Sequence, residues 1–420
     1  MNPTPRPFHR FVLAATLVAT LCPAFVPAFV PAAAAVDVVT RITDLNPGGA
    51  HSLAVFSGAV FDGKLYFQAK DGPGVPTDLW VYDGVNAPSI VPGGADISPE
   101  SFALWQGALW FGAGPGDDRE LWRYDGVTPP AEALDVWPGG DGNVRFLFPF
   151  GDLLCFNAET AGNGAELACW DGSSSPSIFN LRAGSSGSSP EWYGISQGKL
   201  YFGAFVDGVG DEPHVYDGLV APVLVDDVRP GSSSSNPEYF TAFGSDLYFR
   251  ASDEDGQGRV WRYDGVEPPE MISADFDVEG GTTAWLGSLY STGFLEDGMQ
   301  ELHRWNGSEF LRIPFVPAAS ALGADSFTSF AGSLFLVAGS SPGRDLYRYC
   351  GNGEAQRVTD AFATGSDYVQ SELIVLGDRL LFVARTSTHG AELWALDADE
   401  ATFCHGFEDG VTAGWSTTVP

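Results

Sequence analysis

Positive charge is scarce in this sequence: 21 Lys and Arg stand against 54 Asp and Glu, a formal charge of −33. So acidic a chain repels the nucleic-acid backbone and anionic membrane surfaces, and neither is expected as a partner. The same field suits cations or a saline exterior, although solubility alone also accounts for it. Long apolar runs are missing too. Past the opening of the chain, nothing approaches the roughly 20 residues that a membrane-spanning helix needs. No segment carries a 3.6-residue period long enough for a helix, which excludes the helical fold classes. Cysteine is sparse, five in 420 residues, and no two are spaced as CxxC, so no structural zinc site is expected. No histidine stands at a recognisable spacing from a nucleophile. Carboxylates are so common that no single pair stands out as a general acid and base.

What the chain does have is Gly (52), Pro (29) and many aromatics: 12 Trp, 13 Tyr and 30 Phe. The aromatics supply ample core, so the acid belongs to the surface and is no sign of disorder. Glycine and proline at regular intervals mark many short strands joined by turns. The opening differs from the rest. Arg6 and Arg10 precede an apolar run over 11–21 and a Pro/Ala stretch ending in Ala32-Ala33-Ala34-Ala35. These are the three parts of a secretory signal peptide, 1–35, with cleavage expected after Ala35. A lipoprotein reading through Cys22 is disfavoured by the large Leu21 before it. Removing 1–35 takes away two arginines and no acids, which moves the charge from −33 to −35. Cys155, Cys169, Cys350 and Cys404 then remain, and in an oxidising compartment an even set favours disulfides. Cys155 and Cys169 lie symmetrically about Gly162 in what reads as a hairpin, so they are expected to face each other. Cys350 is left to hold Cys404 in the tail, 399–420.

The stretch Glu120-Leu121-Trp122-Arg123-Tyr124-Asp125-Gly126 returns at 78–84, 166–172, 212–218, 259–265, 301–307, 345–351 and, frayed, 392–398, in steps of 42 to 47 residues. A second motif, Leu-aromatic-Phe, returns eight times in phase with it, as in Leu65-Tyr66-Phe67 and Leu247-Tyr248-Phe249. A period of this length means stacked supersecondary units. Each unit has four short apolar segments; in the fifth they are 237–244, 246–251, 259–265 and 270–274. Within the third segment, alternation puts Leu79, Leu121, Leu167, Val260, Leu302, Leu346 and Leu393 on one face and Trp80, Tyr82, Trp122 and Tyr124 on the other. A four-stranded sheet apolar on both faces must be covered on both, and a ring of such sheets does this, which is the β-propeller. Residues 36–398 therefore read as eight blades, with seven plus an irregular segment as the competitor. The last unit lacks a fourth strand, whereas the segment beginning Val38-Val39-Thr40-Arg41 resembles one. The N-terminal strand is thus expected to close the ring and remove its exposed edge.

Two stretches carry a likeness. Val225-Asp226-Asp227-Val228-Arg229-Pro230-Gly231 through Glu238, followed by Leu247-Tyr248-Phe249-Arg250-Ala251-Ser252-Asp253, resembles the bacterial ELWxxDGT (hyalin-like) repeat, as does Gly390-Ala391-Glu392-Leu393-Trp394. Tyr-Asp-Gly-Val or Trp-Asp-Gly-Ser stands where that family usually has Ser-Asp-Gly-Thr. The resemblance spans roughly 38–398 and implies a secreted or surface repeat protein, often one piece of an adhesive extracellular assembly. It brings no catalytic residues. The tail over 406–416 looks like the short GFESGDxSxWS ending of some secreted bacterial proteins.

The loops between second and third strands hold Asp71, Asp117, Asp118, Glu159, Asp207, Asp211, Asp253, Glu254, Asp255, Glu296 and Asp297, so one rim is expected to be acidic. Asp253 and Asp255, in Asp253-Glu254-Asp255-Gly256-Gln257-Gly258, are the calcium candidates, set against turn-forming acids that bond their own backbone. The acid opening each third strand is likewise read as a turn-bonding group. His214 and His303 fall where Trp80 stands in its unit and are read as packing residues; His51, His389 and His405 sit in loops or the tail. Trp105, Trp192 and Trp285 fall in first strands, either stacking on sugars or filling the core near the axis. The resulting expectation is a non-enzymatic extracellular propeller that binds a protein or glycan. The alternatives are a carbohydrate-active enzyme with its site in the axial funnel, for which acids and an arginine must converge there, and a structural surface-layer component.

Overall fold

The computed structural model of the chain describes residues 39–47, 51–53, 57–116, 118–273, 277–294, 300–316, 326–339, 344–358 and 367–398. Residues 1–35, expected from the sequence to be a signal peptide, lie outside them, as do Cys404 and the tail. Among the described residues every regular element is a strand, and no helix is long and apolar enough to cross a membrane.

The strands form eight sheets, one per repeat, seven with four strands and one with five. The innermost strands of blades 1 to 8 are Gly58–Phe61, Glu100–Trp105, Arg145–Phe150, Glu191–Ser196, Glu238–Phe243, Asp277–Trp285, Phe327–Phe330 and Tyr368–Leu376. Each packs beside the innermost strand of the next blade, and Tyr368–Leu376 returns against Gly58–Phe61. The ring is closed by Val39–Arg41, which pairs antiparallel with Gly390–Asp397 as the outer strand of blade 8 (Thr40 opposite Ala395). The fold is thus an eight-bladed β-propeller, and the seven-bladed alternative falls away.

The core sits between blades. Eight apolar clusters among the described residues correspond to the eight seams, including the one between blades 8 and 1, where Phe67 and Trp80 meet Leu381, Val383 and Leu393. The alternation read from the sequence holds: Leu79, Leu121, Leu167, Val260, Leu302, Leu346 and Leu393 are all fully buried. So are the second-strand Phe67, Phe111, Phe156, Phe202, Phe249 and Phe382. Burying a side chain of this size contributes about 1.5–3 kcal/mol. Cys155 and Cys169 pair directly across the hairpin of blade 3 and form a disulfide. Cys350 is also disulfide-bonded; its expected partner Cys404 is outside the described residues.

Two features differ from the sequence reading. The fourth strand of blade 5 is only Glu270–Met271, because the chain leaves the ladder early: Ser273 Oγ accepts the Val260 N–H at 2.7 Å. Blade 7 carries a fifth strand, Phe315–Val316, parallel to Ala355–Arg357.

The recurring heptad can now be read residue by residue. Its leading acid is buried, its Leu enters one seam and its aromatics the other. Its Asp starts the outer turn: Asp125 Oδ1 accepts the N–H groups of Val127 and Thr128 at 2.9 and 2.8 Å. Asp83, Asp171, Asp217 and Asp264 repeat this geometry. These donors, led at Asp83 by the Asn86 side-chain amide, hold the carboxyls of Asp83, Asp125 and Asp171 down at about 2. The Gly that follows has a positive φ, 88° at Gly126, which any other residue would reach only under strain.

Candidate functional site

The carboxylates that recur in the sequence are mostly committed to architecture. Glu166 and Glu212 open the third strands' core-facing runs in full burial. Glu212 accepts the Val228 and Ser235 N–H groups at 3.0 and 2.8 Å and the Ser235 hydroxyl at 2.7 Å. Glu166 accepts from Leu181, Arg182 and Ser188, and Glu120 from Val136 and Gly142. All these donors lie in the loop that leads to the next blade. Glu392 does the same across the closure, accepting from Thr43 Oγ1 at 2.6 Å and Ser52 Oγ at 2.5 Å. The leading acids Asp78, Glu120, Glu166, Glu212 and Glu392 are therefore hooks for the loops that follow them, whereas Glu301 and Asp345 hold arginines of their own outer strands, Arg312 and Arg357. In blade 5 Arg259 replaces the acid, and its guanidinium donates to Asp253.

That contact decides how Asp253 is used. Its Oδ1 accepts the N–H groups of Asp255 and Gln257 at 3.0 and 2.9 Å, and Arg259 Nε sits on Oδ2 at 2.8 Å. Burial pushes this carboxyl up, but Arg259 and the backbone donors outweigh burial and hold it below its ordinary value. Asp253 has the geometry of a turn-forming acid, with a guanidinium where a cation would sit. Asp255 is exposed beside it. Among the described residues no three His, Cys, Asp or Glu side chains surround a common point.

The histidines are also structural. His214 is buried, stacks on Phe202 and keeps Nδ1 2.9 Å from the Glu212 carbonyl. His303 is equally buried, which lowers its pKa to about 4. His51 Nδ1 accepts the Ala391 N–H at 2.9 Å, and His389 contacts Thr388.

What remains is the axial mouth. First strands begin on the face that also carries the loops between second and third strands. Six of them bulge near their start, after Glu100, Arg145, Glu191, Glu238, Val278 and Val369. In five of these bulges one residue takes a left-handed conformation: Ser101, Phe146, Trp192, Tyr239 and Glu372, with φ between 53° and 70°. A bulge re-aims a side chain. Ser101, Phe146 and Glu372 line one cavity of about 630 Å³ bordered by blades 8, 1, 2 and 3. Trp192 and Tyr239 hold the equivalent positions in blades 4 and 5. Their rings pack across the seam with centroids 4.5 Å apart, and Trp192 stays 41% exposed. Gly281 makes room for this: a Cβ there would come within 2.9 Å of the Tyr239 ring. Trp105 and Trp285, by contrast, are buried in interblade seams.

Charge at the mouth is divided between acids and cations. Lys70, Arg145 and Glu100 line the cavity, with Arg145 Nε 3.0 Å and Arg119 Nε 3.2 Å from one Glu100 oxygen. Blades 4 and 5 contribute Glu191, Glu238 and Asp211. Burial, then the charges of Glu191 and Glu238, push Asp211 up to about 7. Its Oδ1 is buried without a hydrogen-bond partner. Glu238 is paired with Arg250 at 3.4 Å. Of the rim acids, Asp207 is paired with Arg182 and Glu159 accepts from Asn143; Asp117, Glu296 and Asp297 lie outside the described residues.

Sequence reasoning did not single out Lys70, Phe146, Glu191, Tyr239 or Glu238. The available signal was the repeated Pro-Glu at 99–100, 190–191 and 237–238, followed twice by an aromatic residue. The bulge that exposes that residue leaves no trace in composition.

No family model matches the chain, and no curated protein matches it. Solved structures with a similar trace include a prolyl endopeptidase studied for the role of inter-domain dynamics in catalysis and specificity. It is 12% identical, with a TM-score of 0.48 over 84% of this chain and 55% of that one. A puromycin-hydrolyzing peptidase of Mycobacterium tuberculosis is 17% identical, with a TM-score of 0.48 over 80% of this chain and 60% of that one. The β-propeller domain of the Trilobed protease from Pyrococcus furiosus, described as having an open velcro topology, is 14% identical, with a TM-score of 0.45 over 73% and 96%. This chain spans under two thirds of the two peptidases it resembles.

Proposed function

We propose that this chain is a secreted, non-enzymatic propeller that binds a glycan at the axial mouth. The observation that carries the proposal is the exposed Trp192 ring, packed on Tyr239 and fixed at φ 59° on a bulged first strand. An indole held rigid and left open to solvent has lost little by way of ordering and offers a flat apolar surface to the C–H face of a sugar ring. Carboxylates and guanidiniums beside it supply directional hydrogen bonds to hydroxyls. The Cys155–Cys169 bridge supports a site of action outside the reducing cytosol. Binding of oligosaccharides followed by tryptophan fluorescence and calorimetry tests this. Trp192→Ala should weaken binding by about tenfold or more, the loss of one aromatic contact and its buried area, at unchanged Tm. Undiminished binding by the variant would remove the mouth from the proposal.

One observation favours a second reading, hydrolysis of the bound glycoside. Asp211, protonated up to about pH 7, stands with Glu191 and Glu238, and a raised acid beside a second carboxylate is the pairing that glycoside cleavage uses. Release of aryl alcohol from aryl glycosides, abolished in Asp211→Asn, would establish it; no turnover across a substrate panel leaves binding alone.

A further inference from the structure

We infer that the axial cavity between blades 8, 1, 2 and 3 is an anion subsite, and that the glycan it takes is acidic, with a uronate carboxylate seated between Lys70 and Arg145. This rests on the glycan reading and narrows it to one ligand class.

Three observations converge. The first is charge placed against the trend of the whole molecule. Cations are outnumbered 54 to 21 in this chain, yet two of them line this one cavity. Lys70 is anchored through its backbone, donating to the Ser52 carbonyl at 3.0 Å. Its ammonium makes no salt bridge among the described residues. Glu100 is shared by two guanidiniums, Arg145 and Arg119, so one positive charge is left over there. The Arg145 side chain is 45% exposed. Glu372 is the second acid on the lining. On the lining Lys70 and Arg145 stand against Glu100 and Glu372, and Arg119, outside the lining, takes a share of Glu100, which leaves Arg145 only partly neutralised.

The second observation is the field at its edge. His51, next to the lining residue Ser52, has its pKa lowered by burial and then by the charges of Arg385 and Lys70. Arg385 thus adds to the positive potential on the blade 8 side.

The third is the lining itself. Phe146 is 42% exposed and set at φ 53° beside Arg145. Gln68 and Thr77, hydrogen-bonded to each other at 2.8 Å, supply hydroxyl and amide partners. A guanidinium and an ammonium recognise a carboxylate, an exposed ring takes a pyranose face, and neutral donors and acceptors suit hydroxyls. A volume of about 630 Å³ lies within the range of small-molecule sites. A polyhydroxylated carboxylate fits all of these at once, whereas an acidic peptide would leave the hydroxyl partners unused.

The test is calorimetry on the full mature chain with three probes: a short oligogalacturonate, the neutral galactose oligomer of the same linkage, and an acidic peptide of oligoglutamate. The expected result is binding of the oligogalacturonate, with the neutral oligomer about tenfold or more weaker. Lys70→Met and Arg145→Gln should each cost about tenfold for the uronate, as expected for a lost charge-assisted contact, with little effect on the neutral sugar. Lys70 has no salt bridge to lose, so Lys70→Met should leave Tm unchanged and reports on the site even if Arg145→Gln unfolds. Equal binding of neutral and acidic oligomers, unaffected by either variant, would overturn the acidic subsite and leave the glycan proposal standing. Binding of none of the saccharides would overturn both. Capture of oligoglutamate in preference to the uronate would overturn the saccharide class.

Discussion

Glu212 shows how much of the ring depends on single buried carboxylates. Three donors from the loop before blade 5 converge on it in full burial. Glu212→Ala strands two N–H groups and a hydroxyl away from water, and should cost about 2–4 kcal/mol in urea unfolding. A loss below about 0.5 kcal/mol would show that the loop finds other partners. Its neighbour Asp211 makes a prediction about pH. Burial pushes both Asp211 and Glu212 up to about 7. The folded protein therefore binds protons that the unfolded chain has released. This contribution to stability is fully present below the ordinary carboxylate pKa of about 4 and is lost as pH rises to about 7. Groups facing Asp211 are Glu191 and Glu238, the latter paired with Arg250. Tm should accordingly fall between pH 5 and pH 8. Asp211→Asn, which keeps the shape without the charge, should raise Tm at pH 8, raise it less at pH 5, leave it nearly unchanged at about pH 4 and so flatten the slope. An unaltered slope in the variant would mean that Asp211 titrates normally.

At the scale of the element, the hairpin of blade 3 is the only one among the described residues tied by a bond between its own strands, Cys155 to Cys169. In the chain-entropy picture a loop of this length contributes about 3 kcal/mol. The strands also pair along the whole hairpin, so Cys155→Ser with Cys169→Ser should cost less, about 1–3 kcal/mol, with the fold kept. A double variant as stable as the parent would contradict this. How legible each element was follows from what fixes it. Third strands were legible because alternation, a turn-forming Asp-Gly and a leading acid all lie within seven consecutive residues. Outer strands such as Glu270–Met271 were overestimated, since their length depends on where Ser273 bonds, a contact thirteen residues away in sequence. The mouth was the least legible. Trp192 and Trp105 both lie on bulged first strands, yet Trp192 falls inside the bulge and stays exposed, whereas Trp105 falls at the regular hairpin end, opposite Ala108, and is buried.

For the molecule as a whole, eight repeats dictate eight seams, and the ring was legible because a missing fourth strand at one end met a spare strand at the other. Deleting residues 36–46 would bare the outer edge of Gly390–Asp397 and leave Glu392 without the Thr43 hydroxyl. We expect a loss of about 3–5 kcal/mol from the unsatisfied carboxylate and the lost ladder, together with self-association by sedimentation. A monomer of unchanged Tm would mean that the closing strand is dispensable. The closure also sets a clock. Thr43 and Glu392 are 349 residues apart, and chains are made at about 5–20 residues per second, so the closing strand waits roughly 20–70 s during synthesis before its partner exists. During that interval the blades made so far form an open arc whose two end blades each leave one apolar face uncovered. The acids on their surface, which repel other arcs, are then as much a protection for the growing chain as for the finished ring.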